Sequence, residues 1–168
     1  IQLSVMAQMD KKSIVIVDSM NLWIKTQREK LLEVIKGCNI FLINESEAQL
    51  LSNKTDLKEA GKLFLSLGPD KVIIKKGSKG CDFFSHNNNY TIGTYKVENV
   101  RDSTGAGDVF GGGYIAGLAS GLNDINSLIL GSALASICVE EFGVEGLLNM
   151  NKDDLMRRQK FISDSFNV

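Results

Sequence analysis

Three short stretches of the chain are apolar at nearly every position, and each ends on a polar residue. Ser13-Ile14-Val15-Ile16-Val17 stops at Asp18, Ile40-Phe41-Leu42-Ile43 at Asn44, and Val72-Ile73-Ile74 at Lys75. A strand with one wet face alternates; runs apolar on both faces suit strands covered on both sides, as in a parallel sheet. Between them apolar residues recur at helical spacing, over about 26–37 (Leu31, Leu32, Val34, Ile35), 45–52 and 56–67 (Leu57, Ala60, Leu63, Phe64). This alternation predicts an α/β, doubly wound sheet. Cys81–Ser85 and Tyr90–Tyr95 predict a hairpin around an Asn-rich turn. After residue 104 the pattern is almost all helical, over about 105–120, 124–140 and 151–163. No repeat, low-complexity tract or linker interrupts it, so residues 1–168 read as one α/β domain.

A parallel arrangement has a chemical consequence. Asp18, Asn44 and Lys75 each stand at the carboxyl end of a strand, and in a parallel sheet those ends share one edge, where open α/β folds bind ligands.

Composition narrows the classes. The formal charge is −1, and the largest basic cluster is Lys75-Lys76 with Lys79, too small for a nucleic-acid surface. No apolar run reaches membrane-spanning length, and residues 1–9 lack the sustained apolar core of a signal peptide. The expectation is a protein that binds neither nucleic acid nor membrane. Three cysteines without CxxC spacing read as free thiols in a reducing cytoplasm. The one histidine, His86, lies in a polar turn, which argues against a His-based triad or a His-rich metal site.

The densest chemistry is Asp102-Ser103-Thr104-Gly105-Ala106-Gly107-Asp108, followed by Val109-Phe110-Gly111-Gly112-Gly113-Tyr114-Ile115. Small residues at a helix start leave backbone N–H groups free to cradle an anion, and the helix dipole adds to the effect. Asp108 beside such a cradle suggests phosphoryl transfer to a hydroxyl. A Gly-rich turn with Asp108 as an ordinary first-turn charge would read the same. Gly111, Gly112 and Gly113 each cost about 0.8–1 kcal/mol relative to alanine in a helix, which predicts close backbone approach by the sheet or a ligand.

This stretch resembles the signature of the ribokinase-like (PfkB) carbohydrate kinases, with Ser103 where Thr or Pro is common. The resemblance implies a Rossmann-like three-layer α/β/α fold. It implies that Asp108 is the catalytic base, and that the N–H groups of Gly105, Ala106 and Gly107 form the anion hole. Asn44-Glu45-Ser46-Glu47 fits a helix capping box; it also looks like the family's Asn-x-x-Glu motif, in which Asn44 would help place phosphates and Glu47 would hold Mg²⁺ through water. Gly77-Ser78-Lys79-Gly80, after the third strand, resembles the nucleotide-contacting Gly-x-x-Gly turn, with Lys75 in reach of ATP phosphates; a turn with solvated lysines is the plainer reading. Ser132 matches a nucleotide-facing position by register alone. Asp18-Ser19-Met20-Asn21 is similar to a segment some sugar kinases carry beside the phosphates, and is otherwise an Asx-rich turn opening a helix.

The resemblance covers the C-terminal part of a family member, without its N-terminal half and β lid. The sequence, which opens on Ile1, therefore reads as a piece of a longer one, inactive by itself as a sugar kinase. For the intact protein the implied cofactors are ATP and Mg²⁺, with a monovalent cation left open. The implied partner is a small sugar or nucleoside acceptor, and a homodimer is left open. The alternative is a noncatalytic nucleotide-binding relative. An NAD-dependent oxidoreductase fits poorly, because the Gly-rich turn comes late and follows a hairpin.

Overall fold

The three apolar runs form the middle of an open mixed sheet. In the computed structural model, which describes residues 1–10 and 12–166, the order of elements is α1 (Gln2–Met6), β1 (Ile16–Asp18), α2 (Asn21–Thr26), α3 (Arg28–Lys36), β2 (Ile40–Asn44), α4 (Glu45–Ser52), α5 (Leu57–Leu67), β3 (Lys71–Lys75), a one-turn 3-10 helix (Gly77–Lys79), β4 (Cys81–Ser85), β5 (Asn89–Ile92), α6 (Ala106–Ala119), α7 (Asp124–Cys138), α8 (Glu145–Leu148) and α9 (Lys152–Phe166). The strands lie in sequence order, β1-β2-β3-β4-β5. β1, β2 and β3 are parallel, and β4 returns antiparallel to β3. The geometry follows the connections: helices link the parallel strands, whereas the short 76–80 link allows only an antiparallel return.

Internal contacts divide the chain into two compact units, one of Ile1–Gly77 with Cys81–Tyr90, the other of Ser78–Gly80 with Thr91–Val168. In the first, α3, α4 and α5 supply Leu31, Val34, Ile35, Ala48, Leu51, Ala60 and Phe64 to a core completed by Phe41, Ile43, Val72, Ile74 and Phe84. Phe41 meets Phe64 edge to face at 5.4 Å between ring centroids. The alternate strand residues Ile40, Leu42, Ile73, Cys81 and Phe83 are buried as well, so the strands are covered on both faces as their composition requires. Local chemistry sets the helix starts. Asp56 caps α5 by accepting from the Lys58 N–H at 2.8 Å, and Asn44 caps α4.

The second unit is built of helices, with its share of β5 and an irregular stretch over 93–105. α6 and α7 are apolar all round, and their backbones touch. A Cβ on Gly113 would lie 2.8 Å from Gly131 Cα, and one on Gly117 would lie 2.7 Å from Ser127 Oγ. The glycine cost in α6 is thus explained at Gly113 by contact with a neighbouring helix, where the sequence suggested the sheet or a ligand. Gly112 faces open space. α9 is tied to α7 by Arg158, which is buried. Its Nε donates to Asp154 at 2.8 Å and its terminal nitrogens to Glu140 at 2.5 Å and Ser136 Oγ at 3.2 Å. Its guanidinium lies 4.7 Å from the Tyr95 ring centroid.

Several boundaries differ from those read along the chain. β1 starts at Ile16, because Asn39 Oδ1 caps the Val15 N–H (2.9 Å) and Ile14 is exposed. The helix expected over 26–37 runs over Arg28–Lys36; Thr26 ends a separate helix, α2, and Gln27 (φ −140°) divides the two. The second hairpin strand stops at Ile92, short of Tyr95. α1 and α8, of five and four residues, are too short to show a period in sequence.

Candidate functional site

The first unit gathers polar groups where its parallel strands end. Asn44 and Lys75 are register partners across β2 and β3, and Asp18 ends β1 beside Leu42. Lys75 Nζ reaches over the end of β2 to ion-pair with Asp18 Oδ2. The lysine that sequence offered for ATP phosphates is here committed to a carboxylate. The other Asp18 oxygen accepts from the Ser19 N–H at 2.8 Å.

The Asn44–Glu47 pair is a complete capping box. Asn44 Oδ1 accepts from the Glu47 N–H at 2.8 Å and from Ser46 Oγ at 2.8 Å, and Glu47 Oε2 accepts from the Asn44 N–H at 3.3 Å. Glu47 Oε2 also accepts from Ser19 Oγ at 3.2 Å. Glu47 is only 5% exposed, yet its second oxygen, Oε1, has no hydrogen-bond partner among the described residues and is not a buried atom. The side chain is thus anchored through one oxygen and opens to solvent through the other. This donor set suits magnesium, which keeps most of its waters and is commonly held by one or two carboxylates. No group of three or more His, Cys, Asp or Glu residues suited to a metal occurs among the described residues.

The second unit holds the helix start. Gly105 is left-handed (φ +79°) and caps α6 without a side-chain bond. The turn before it is set by Asp102, whose Oδ1 accepts from the Thr104 N–H at 2.9 Å. The same hydrogen bond, with help from the Thr104 side chain, holds the Asp102 carboxyl below its usual range. Of the three N–H groups expected in the cradle, that of Ala106 is engaged by the Ser103 carbonyl at 3.2 Å. Those of Gly105 and Gly107 have no partner among the described residues, and neither has that of Asp108, which sequence reasoning left out. The Asp108 side chain is exposed in the first turn, without hydrogen bond or ion pair among the described residues.

The Gly77–Gly80 turn forms as a 3-10 turn with both glycines left-handed. Ser132 is buried at 3% exposure, and its hydroxyl donates to the Gly93 carbonyl at 2.9 Å. The side chain placed on the nucleotide by register therefore braces the chain after β5. Ser19, named in the sequence only as part of the Asp18–Asn21 segment, joins the strand-end cluster. Its contact with Glu47 spans 28 residues and exists only once β1 lies beside β2.

Comparison with known proteins gives the chain a family. Residues 2–149 match the model of the pfkB family of carbohydrate kinases. A ribokinase of Staphylococcus aureus is 33% identical over 119 residues, which are 67% of this chain and 39% of that enzyme. A nucleoside kinase of Methanocaldococcus jannaschii, an archaeal member of the ribokinase family, superposes with a TM-score of 0.78 at 25% identity, over 95% of this chain and 52% of that one. An Escherichia coli putative ribokinase II, solved with ATP and Mg²⁺, gives a TM-score of 0.70 at 31% identity, over 85% and 45%. The chain spans about half the length of these solved structures, and its sheet and flanking helices are those of the ribokinase fold. With the match running from α1 through α8 and including the Gly-Ala-Gly-Asp helix start, the chain belongs to the pfkB family of carbohydrate kinases.

Proposed function

We propose that the protein carrying this chain transfers the γ-phosphoryl group of ATP to a hydroxyl of a sugar or nucleoside. The observation that carries this reading is the start of α6, where an exposed, unpartnered Asp108 stands beside free N–H groups at the positive end of a 14-residue helix. Asp108 accepts the proton of the acceptor hydroxyl as it attacks. The N–H groups of Gly105 and Gly107, joined by that of Asp108, stabilise the charge on the phosphoryl oxygens, and such preorganised donors are worth most where charge develops. Glu47, with one carboxylate oxygen free, would hold hydrated Mg²⁺, which would offset phosphate charge. The Gly77–Gly80 turn contacts the nucleotide. The similarity to an enzyme solved with ATP and Mg²⁺ supports this cofactor pair.

Asp108→Asn in the full protein tests the base. Turnover, followed as ATP consumption over a panel of sugars and nucleosides, is expected to fall about 10²- to 10⁴-fold, with ATP affinity and thermal stability retained. Near-native turnover in that variant removes Asp108 from the role. Native protein that binds ATP and phosphorylates nothing across the panel would favour a noncatalytic nucleotide-binding relative instead.

A further inference from the structure

We propose that Ser19 is a positioning residue, which aims the free oxygen of Glu47 at the waters of the bound magnesium; this rests on the reading of Glu47 given above. A carboxylate can turn about its last bond, and a single long hydrogen bond restrains that rotation weakly. In Glu47 one oxygen receives two donors, the Asn44 N–H at 3.3 Å from within the capping box and Ser19 Oγ at 3.2 Å from a different strand end. Two donors converging on Oε2 fix the carboxylate plane, and with it the direction of Oε1.

Ser19 is itself held. Its N–H donates to Asp18 Oδ1 at 2.8 Å, and the other oxygen of Asp18 is occupied by Lys75. A chain of contacts thus runs Lys75–Asp18–Ser19–Glu47–Asn44 across the ends of three adjacent strands. The lysine balances the charge of Asp18, and each Asp18 oxygen already accepts from one donor, which weakens this second carboxylate as a competitor of Glu47 for the metal. Glu47 keeps one oxygen open. Among the described residues, the hydroxyl of Ser19 is the one group that hydrogen-bonds this carboxylate from outside its own helix and cap.

The test uses the full protein and measures ATP binding by calorimetry across a MgCl₂ series at constant ionic strength, and again in EDTA. Ser19→Ala is expected to raise the Mg²⁺ concentration for half-maximal enhancement of ATP binding about three- to tenfold, the size of one ordinary hydrogen bond, as suits the 3.2 Å contact. Binding in EDTA should stay native, and the unfolding temperature should fall by no more than a few degrees. Ser19→Thr, which keeps the hydroxyl, should restore the native requirement, and Glu47→Gln should shift it at least as far as Ser19→Ala. A native Mg²⁺ requirement in Ser19→Ala beside a shifted one in Glu47→Gln overturns the positioning role and leaves the reading of Glu47 standing. No shift in either variant overturns the reading of Glu47, and the inference with it. Equal losses with and without Mg²⁺ in Ser19→Ala, or a shift in Ser19→Thr as large as in Ser19→Ala, assign Ser19 a merely structural part and overturn the proposal.

Discussion

At Gly80 the backbone is left-handed (φ +83°), and a Cβ there would overlap the carbonyl oxygen of Ile92 and lie 2.9 Å from Gly93 Cα. Gly77, three residues earlier, is also left-handed (φ +58°) but has nothing within 4 Å of its Cβ position. The two substitutions to alanine therefore separate two costs. Gly77→Ala pays only for the backbone conformation, about 1–2 kcal/mol. Gly80→Ala adds the clash, which brings the total to about 2–5 kcal/mol. Urea unfolding of both variants checks this, and equal losses would contradict it. Residues of this kind are legible in sequence when their partners are local. The Asn44–Glu47 box is read from a spacing of three, because both groups belong to one helical turn. Lys75 and Ser132 were legible as polar residues at important places, but not as the partners of Asp18 and Gly93, which come from distant positions.

The helix pair α6–α7 shows the same division one level up. Glycines inside α6 announced a close approach, and the approach exists; its partner is the backbone of α7, because Gly131 there has no side chain to hold Gly113 off. Nothing in the α6 pattern names α7, since a helix apolar on all sides lacks the stripe that would identify its packing face. The structure sorts the glycines. Gly113→Ala is expected to destabilise by about 1–3 kcal/mol through overpacking, since its Cβ would meet Gly131 Cα at 2.8 Å. Gly112→Ala, on the open side, should stabilise the helix by up to about 1 kcal/mol. Denaturant midpoints moving in opposite directions for adjacent glycines would verify the packing; a loss at both would place another surface against Gly112. Element boundaries were less legible than elements. α2 and α3 separate at one residue, Gln27, and β1 begins after Val15, whose N–H goes to Asn39 Oδ1.

For the molecule as a whole, the titrating groups set a window of stability. Asp154 is held below its usual carboxylate range, first by its hydrogen bond to Arg157 and then by Arg158. The folded state therefore gives up this proton more readily than the unfolded chain. In the range below the ordinary value of 3.8 the unfolded chain binds more protons, so stability rises with pH there. The contribution of Asp154 is complete above about that value and is lost as pH falls through the lower folded one. Cys38 works in the opposite sense. Burial pushes its thiol from 9.0 up to about 12, and its Sγ donates to the Ile35 carbonyl at 3.2 Å. Between those values the folded chain holds a proton the unfolded chain has released, so stability falls as pH rises. Cys138 is raised too, by burial and then by Asp102, and adds to the same limb. Thermal unfolding across pH is thus expected to trace a plateau between about pH 4 and 9 with a decline on either side. Two variants assign the limbs. Asp154→Asn should lower the unfolding temperature on the plateau and converge with the native protein as the pH falls below 4. Cys38→Ala should make the alkaline decline shallower, offset by a roughly constant loss from the vacated volume. An alkaline limb of native steepness in Cys38→Ala would mean that the buried thiol is not what the unfolded chain releases, and would move the assignment to Cys138.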